Sequence, residues 1–343
     1  MRTTLILSLI LVLAACSAPT LKITPAIYFW ENDTRSLTSE NLQALDSLNI
    51  EKLYVKVFEV DRIAGENVPQ ATSSLVLDVN TLKKVEIIPC VYLLNQVFIE
   101  SSKAELDKLA ENVTHLVGVF VNEKLSGGKT VRSTEIQIDC DWSEKSQGNY
   151  FYFLRKIKEI AQLKISCTLR LYPYKFHAKM GVPPCDRATL MCYNLLSPIN
   201  NPGKNTILDT DEMAKYLDTK FKYPIPLDVA LPIYSWMQCY EGKRVKGIVH
   251  GPVEEFLPLF SHDKGLWYTM ETDTVIRDIY IRKGDRIKVE RVSSKELQKA
   301  VDLIKSSGVL KNDATFSYFH LSSQEIKFYS YEKLIAHTAR LSR

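Results

Sequence analysis

The feature that most restricts the fold of this chain is a regular alternation of short β-branched and aromatic runs with helical patterns. The strand-like runs are eight in number: Ala26 to Trp30, Leu53 to Glu59, Val85 to Leu93, Glu135 to Trp142, Lys164 to Tyr172, Thr189 to Asn194, Leu227 to Trp236 and Thr315 to His320. The helical patterns are Thr38 to Leu48, Asn80 to Lys84, Lys103 to Phe120, Asn149 to Ala161, Asp211 to Phe221, Ser294 to Ser306 and Gln324 to Ala339. Alternation of this kind indicates parallel β-α units, and eight units favour an α/β fold of the closed (β/α)8 TIM type over an open sheet.

Two stretches depart from the repeat. The fifth strand has no convincing helix after it, because Gly181-Val182-Pro183-Pro184 is typical of a loop. More than fifty residues separate strand seven from the helix that starts at Ser294, and Lys283-Gly284-Asp285 lies there between two alternating runs, which indicates a hairpin. The sequence therefore predicts one barrel over residues 26–343, with a small β-rich insertion at about 237–292 between strand seven and helix seven.

The first residues have the pattern of an export signal. Met1 and Arg2 give a positive start, Leu5 to Val12 form a short apolar stretch, and small residues precede Cys16. The apolar stretch is much shorter than the roughly 20 residues of a membrane-spanning helix. We therefore expect residues 1–15 to be a signal peptide and residues 16–25 to be a tether, the alternative being an ordinary signal peptide with a chance cysteine.

The segment Leu13-Ala14-Ala15-Cys16 resembles the lipobox of bacterial lipoproteins, in which the cysteine is acylated and becomes the first residue of the mature protein. The resemblance implies a lipid such as palmitate on Cys16, and a protein of the cell envelope anchored to a bacterial membrane, the outer one being the expected location. More than one acyl chain would anchor stably, since each buried methylene contributes about 0.8 kcal/mol.

Charge and motifs exclude several classes of partner. The formal net charge is +4 over 343 residues, and no basic block could follow a phosphate backbone, so no nucleic acid partner is expected. The glycine-rich nucleotide motifs and the Gly-x-Ser-x-Gly elbow are missing from the sequence, and no cofactor is predicted.

Six cysteines follow Cys16, at positions 90, 140, 167, 185, 192 and 239. An oxidising envelope permits disulfides, but six cysteines allow 15 pairings and the sequence does not choose among them. Buried free thiols are the equal alternative. The cysteines and histidines lack the spacing of a zinc finger, so no metal site is predicted.

Function in an eight-stranded barrel is located where the strands end. Strand four ends with Asp139-Cys140-Asp141, and strand alternation points both carboxylates toward the barrel mouth. Two neighbouring carboxylates in a low-dielectric site raise the pKa of one of them and keep a proton available for acid-base chemistry. Asp139 and Asp141 are therefore candidate catalytic residues; structural acids bonded to arginine or backbone are the alternative.

Other strand ends carry aromatic and polar residues. Strand six ends with Tyr193 and Asn194, and alternation along strand seven places Tyr234 and Trp236 on one face. Aromatic rings suit the apolar faces of sugars, and amides and carboxylates hold sugar hydroxyls, although such rings also fill barrel cores. Further substrate-binding candidates end strands one, two and five: Trp30, Lys56, Arg170 and Tyr172. Arg170 could neutralise one of the two aspartates, and Glu59 is a weaker candidate.

These strand ends resemble those of the family-18 glycoside hydrolases, the chitinase-like barrels. Three segments match in order: Asp139-Cys140-Asp141-Trp142, Met191-Cys192-Tyr193-Asn194 and Leu231-Pro232-Ile233-Tyr234. The resemblance covers residues 130 to 292 or so, and it implies a glycan-hydrolysing site in which Asp139, Asp141 and Tyr193 are catalytic.

The chain also departs from that family. Ser143 stands where the family's proton-donating glutamate is expected, and Glu144 would face away from the mouth on a regular strand. Ile136 replaces the earliest aspartate of the motif. Three functions therefore stay open: hydrolysis of a glycan, binding of a glycan or peptidoglycan fragment without cleavage, and an envelope scaffold with a vestigial site.

Overall fold

Eight parallel strands form a closed barrel in the computed structural model, which describes residues 20–31, 36–71, 82, 84–125, 133–217 and 221–343. The barrel strands are β1 (Ile23–Phe29), β2 (Lys52–Ile63), β3 (Glu86–Leu93), β4 (Glu135–Asp139), β5 (Lys164–Arg170), β6 (Arg187–Met191), β7 (Leu227–Pro232) and β8 (Ala314–Phe319). Each pairs in parallel with the next, and β1 closes the barrel by pairing with both β2 and β8. The predicted (β/α)8 barrel is confirmed.

Helices cover the outside of the barrel. They are Ser39–Ser47, Asn95–Glu100, Lys103–Val119, Gln147–Ala161, Leu171–Lys175, His177–Met180, Thr210–Tyr216, Ser294–Ser307, Ser323–Phe328 and Tyr331–Ser342. Several begin at a side chain that caps the free backbone N–H groups, as Thr38 does for Asn41 and Ser293 for Glu296. With helices on its outer face and packed side chains inside, a strand such as β7 is buried along its whole length.

The structure differs from the predicted elements in three places. Two short helices, Leu171–Lys175 and His177–Met180, follow β5, where the sequence indicated mainly a loop. The last helical pattern is broken at Tyr329, after which Ser330 caps a second helix. The strand Glu66–Ala71 extends β2 as an antiparallel hairpin. The helix predicted at 80–84 falls outside the described residues apart from Leu82 and Lys84.

The insertion between β7 and the helix at Ser294 is a five-stranded antiparallel sheet with its own apolar core. Its strands, in spatial order, are Arg244–His250, Ser235–Glu241, Arg286–Arg291, Trp267–Met270 and Phe260–Lys264. It starts immediately after β7, because Ser235 already pairs with Arg291.

The hairpin predicted around Lys283-Gly284-Asp285 is wrong, although the chain does turn there. The run before the turn, Ile279–Ile281, pairs with Thr274–Ile276 in a separate two-stranded sheet. The run after it pairs with Ser235–Glu241, because Ile287 and Val289 are buried in the core of the insertion. Local turn residues specify a reversal of the chain, whereas burial selects the partner strand.

A polar network crosses the barrel below its mouth. The Tyr28 hydroxyl donates to the Gln137 side-chain oxygen at 2.8 Å, and the Gln137 amide donates to Thr189 at 3.1 Å. These side chains are buried, and they satisfy one another as buried polar groups must. Within the described residues, no helix has the length and the apolar character needed to cross a membrane.

Candidate functional site

Asp139 ends β4, and its carboxylate accepts a hydrogen bond from the Thr168 hydroxyl on β5. Burial raises the pKa of Asp139 to about 7. The charge of Asp141 adds to this increase, whereas the hydrogen bond from Thr168 and the positive charges of Lys56 and Arg170 oppose it. A carboxyl group of this kind is partly protonated at neutral pH and can give or take a proton there.

Asp141 lies just beyond the end of β4 and is exposed. Its carboxylate is 3.6 Å from the Arg170 guanidinium, which also donates to the Asn194 carbonyl at 3.4 Å. Arg170 thus joins the chain after β4 to the chain after β6. Of the two aspartates that it was expected to neutralise, it makes an ion pair with Asp141.

A bulge in β2 changes which side chains reach the mouth. The pairing of β2 with β3 shifts between Lys56 and Phe58, so that Lys56 and Glu59 meet in an ion pair of 2.8 Å. Lys56 is buried, and its ammonium group lies 5.6 Å from the ring centre of Trp30 and 5.8 Å from that of Tyr92. Regular strand alternation would place Phe58 on the same face as Lys56, but Phe58 belongs to the apolar core.

Tyr92 is a mouth residue that the sequence analysis missed. It lies on β3 directly opposite Asp139 in register, and burial followed by the charges of Asp139 and Asp141 raises its pKa to about 12. The sequence did contain a signal for this residue, because Tyr92 is one residue from the end of a predicted strand and shares a strand face with Cys90. Its hydroxyl is neutral at physiological pH and can serve as a hydrogen-bond donor.

Aromatic rings fill the opposite side of the mouth. Tyr193 stacks on Phe319 with ring centres 5.5 Å apart, and Phe319 also contacts Tyr234 and Trp30 at 5.7 and 5.8 Å. The Tyr234 hydroxyl donates to the Asn194 side-chain oxygen at 2.7 Å. Phe319, which ends β8, was not among the predicted site residues, although the same strand-end rule points to it.

The sequence indicated that Trp236 belongs to strand seven, but in the structure it does not. β7 ends at Pro232, and Trp236 lies on the first strand of the insertion, opposite His250 on one side and Glu290 on the other. Its ring centre is 5.7 Å from that of Tyr234 and 5.4 Å from that of His250. The insertion therefore supplies part of the wall of the site.

The position expected for a proton-donating glutamate is polar but carries no acid. The Ser143 hydroxyl accepts a hydrogen bond from the Asn95 amide at 3.3 Å, in the turn that follows β4. The neighbouring Glu144 is exposed, and its carboxylate makes an ion pair of 2.6 Å with Lys179 of the short helix His177–Met180.

Two cavities open on this face of the barrel, on either side of Asn194 and Leu195. Cavity A has a volume of about 680 Å³ and is lined, among others, by Trp142, Glu144, Arg170, Tyr172, Leu195 and Tyr216. Cavity B has a volume of about 670 Å³ and is lined, among others, by Trp30, Asn194, Tyr234, Trp236, His250 and Phe319. Both volumes are within the range of small-molecule sites, roughly 300–1,000 Å³. Tyr172 lies in a helix instead of strand five, but it still shares cavity A with Arg170.

Two histidines of cavity B were also missed. His320 follows β8, and burial, followed by the charge of His250, lowers its pKa to about 4. The pKa of His250 is lowered too, first by burial and then by Arg277. His320 could have been found by the strand-end rule, whereas His250 lies on an insertion strand that carries no such signal. Within the described residues, no cluster of three acidic, histidine or cysteine side chains could hold a metal ion.

No protein-family model matches the sequence, and no curated protein matches it either. Solved structures do resemble the fold. The spore cortex-lytic enzyme SleL of Bacillus cereus is 14% identical with a TM-score of 0.50, over 93% of this chain and 75% of that one. Catalytic domain 2 of the group II chitinase of Ostrinia furnacalis is 8% identical with a TM-score of 0.50, over 94% of this chain and 96% of that one.

A mutant of the same chitinase domain, in complex with the oligosaccharide (NAG)5, is 8% identical with a TM-score of 0.52, over 93% of this chain and 96% of that one. At these identities the likeness establishes the fold, a TIM-type barrel. The chain shares that fold with chitinase-like barrels.

Proposed function

We propose that this protein binds a glycan across cavities A and B and does not cleave it. The observation that carries the proposal is that acidic side chains around the mouth are paired with basic side chains. Asp141 is paired with Arg170, Glu59 with Lys56 and Glu144 with Lys179, and a serine occupies the place of the expected proton donor. Glycoside hydrolysis requires an acid at the leaving oxygen, and this arrangement leaves that place without a carboxyl group.

The walls of the two cavities suit a sugar chain. Cavity B combines the rings of Trp30, Tyr234 and Trp236 with hydrogen-bonding groups from Asn194 and His320. Cavity A adds the Arg170 guanidinium and the Tyr172 ring. Aromatic faces for the apolar side of a pyranose, with a few polar groups for its hydroxyls, are typical of carbohydrate sites. The shared fold with a chitinase domain and a cortex-lytic enzyme makes oligosaccharides of N-acetylhexosamines the first ligands to test.

Hydrolysis is the second candidate function, and one observation favours it. The pKa of Asp139 is raised to about 7, so this residue can exchange a proton near neutral pH. In that case Asp139 and Asp141 would be the acid-base or orienting groups, with Tyr193 positioning the substrate. Asp139 lies at the end of β4 and lines neither cavity A nor cavity B, and its hydrogen bond from Thr168 already occupies one carboxylate oxygen.

One experiment separates the two functions. Residues 17–343 are screened against chitooligosaccharides and peptidoglycan fragments, and both the thermal shift and the release of reducing ends are measured. Stabilisation without new reducing ends supports the binding function; stabilisation with new reducing ends supports hydrolysis. If no glycan changes the melting temperature, both proposals fail.

We also propose that Cys16 is acylated and holds the barrel at a bacterial membrane, as the lipobox-like segment suggests. Cys16 lies outside the described residues, and the proposal rests on the sequence alone. Feeding cells with labelled palmitate tests it. The full chain should take up the label and sediment with membranes, whereas Cys16→Ser should do neither; labelling of the Cys16→Ser variant would contradict the proposal.

A further inference from the structure

Two buried cysteines lie in direct contact beside β5. The Cys167 and Cys185 sulfur atoms are 3.4 Å apart, and both residues are buried. A disulfide requires a separation of about 2.05 Å, so the two sulfur atoms have to approach each other by about 1.4 Å to form the bond. We propose that Cys167 and Cys185 form a disulfide bond when the chain folds in an oxidising compartment.

The backbone keeps the two cysteines side by side. The Asp186 N–H donates to the Ile165 carbonyl at 2.8 Å, and the Ile165 N–H donates to the Asp186 carboxylate at 2.9 Å. Lys158 makes an ion pair with the same carboxylate. This set of bonds joins the residue after Cys185 to the residue two before Cys167. These bonds, next to the first paired residues of β5 and β6, therefore hold Cys185 beside Cys167.

Among the described residues, which include all six cysteines after Cys16, no other two sulfur atoms come within hydrogen-bonding distance of each other. Cys90 points into the barrel, where its sulfur lies 3.6 Å from the Gln137 side-chain oxygen. Cys239 lies in the core of the insertion. Of the 15 pairings that six cysteines allow, the structure thus favours the one between Cys167 and Cys185.

The bond would close a loop that carries part of the candidate site. Between the two cysteines lie Arg170 and the short helices Leu171–Lys175 and His177–Met180, which form one wall of cavity A. Tyr172 and Phe176 on this segment are 44% and 40% exposed, so the segment keeps two large rings in solvent. A covalent link at its base would restrict the unfolded chain and hold this wall.

The reaction is a thiol–disulfide exchange. The two thiols give up two protons and two electrons to the disulfide of an oxidant, such as a protein disulfide oxidoreductase or oxidised glutathione, which becomes two thiols. The contact with Cys185 and burial raise the pKa of the Cys167 thiol well above its usual value. Because the thiolate is the attacking species, the bond forms during folding, before the two sulfur atoms are buried.

The test uses the full chain and no glycan, so its result is independent of the proposed binding function. The chain is reduced and unfolded in guanidinium chloride, refolded in reduced and oxidised glutathione, and treated with N-ethylmaleimide in denaturant. Peptide mass spectrometry should find Cys167 and Cys185 in one cross-linked species that is two hydrogens lighter than its reduced parts. The other cysteines after Cys16 should carry the label.

Cys140 provides the matched control, because it is a buried thiol on the neighbouring strand end. Cys140→Ser should keep the cross-link, whereas Cys167→Ser should leave Cys185 labelled. Label on both Cys167 and Cys185 of the refolded wild type, or a bond between another pair, would overturn the proposal. If the denatured chain does not refold, the same trapping is done on protein made in cells with an oxidising cytoplasm, with the same criteria.

Discussion

The indole N–H of Trp236 donates a hydrogen bond to the Glu290 carboxylate, which is completely buried. The same carboxylate accepts from the Thr206 backbone N–H at 3.0 Å and from the Thr206 hydroxyl at 2.9 Å, and it pairs with the Lys288 ammonium group at 2.6 Å. The orientation of the indole ring is thus set from within the insertion. Because its N–H is already used, Trp236 offers a ligand only its ring, which suits stacking on a sugar.

Trp236→Ala should therefore weaken glycan binding at least about tenfold, the loss typical of a central aromatic contact. Trp236→Phe keeps a ring in the same place and should retain much of the affinity. Titration calorimetry with a chitooligosaccharide measures both. Trp267 is the matched control, since it lies on the insertion against Arg286 and does not line cavity B. Unchanged affinity of Trp236→Ala would contradict the stacking role.

Glu290→Gln should destabilise the fold more than it changes the shape of the site. Glutamine can still accept from Trp236, but Lys288 is fully buried and would lose its counter-charge. Removing one partner of a buried ion pair costs about 3–5 kcal/mol of unfolding free energy. The double variant Lys288→Met/Glu290→Gln should lose less free energy of unfolding than the sum of the losses in the two single variants, as measured by denaturant unfolding. Strict additivity would mean that the pair is not coupled.

The barrel was predictable because each strand carries its own signal. A run such as β7 is buried on both faces, so β-branched and apolar residues mark it without any knowledge of its partners. The acids of β4 were predictable for the same reason, since alternation and the strand-end rule need only local sequence. The partner of the run at Arg286–Arg291 was not predictable, because it depends on burial of Ile287 and Val289 against a strand fifty residues away.

Parts of the site also depend on features that have no local signature. The bulge after Lys56 adds one residue to β2, and this is why Glu59 meets Lys56. Trp236 belongs to the insertion because the chain leaves the barrel at Pro232, and nothing in the alternating run marks that exit. The contact of Cys167 with Cys185 accompanies hydrogen bonds between Ile165 and Asp186, which spacing along the chain does not reveal.

The raised pKa of Asp139 predicts a pH-dependent stability. Its folded-state pKa of about 7 lies above the ordinary value of 3.8 for an aspartate, so the folded state holds the proton more tightly than the unfolded state. The protonated Asp139 therefore contributes to the free energy of unfolding, and this contribution is fully present below pH 3.8 and is lost as the pH rises through 7. Asp139→Asn cannot ionise, so relative to wild type it should gain stability between pH 4 and pH 8 or so.

Melting temperatures of wild type and Asp139→Asn across that pH range measure the difference directly. The comparison cancels the titration of all other groups, provided that asparagine keeps the hydrogen bond from Thr168. Asp141→Asn is the control, because Asp141 is half exposed and paired with Arg170. If the difference in melting temperature between Asp139→Asn and wild type does not change with pH, the pKa of Asp139 is not raised in the folded state.

Arg170→Gln should separate stability from ligand binding. The Arg170 and Asp141 side chains are 47% and 51% exposed, and an ion pair of this kind contributes less than about 1 kcal/mol to the unfolding free energy. Arg170 lines cavity A, however, so its loss should weaken binding of a glycan that spans both cavities. Lys156→Gln breaks an exposed ion pair with Glu159, and because neither of these residues lines cavity A or cavity B, this variant serves as the control. If both variants bind the glycan with equal affinity, cavity A is not part of the binding site.

The serine at position 143 gives the sharpest test between binding and hydrolysis. Ser143 lines cavity A, so the longer side chain of Ser143→Glu has space to reach into it and can accept a hydrogen bond from Asn95. If the missing acid is what prevents cleavage, wild type should release no reducing ends from chitooligosaccharides, and Ser143→Glu should release them. Ser143→Gln has the same length without the acid and should bind without cleaving. The opposite result would be cleavage by wild type that is abolished in Asp139→Asn but kept in Ser143→Gln. That result would establish the Asp139 carboxyl group, with its raised pKa, as the acid. Hydrolysis would then replace the binding proposal.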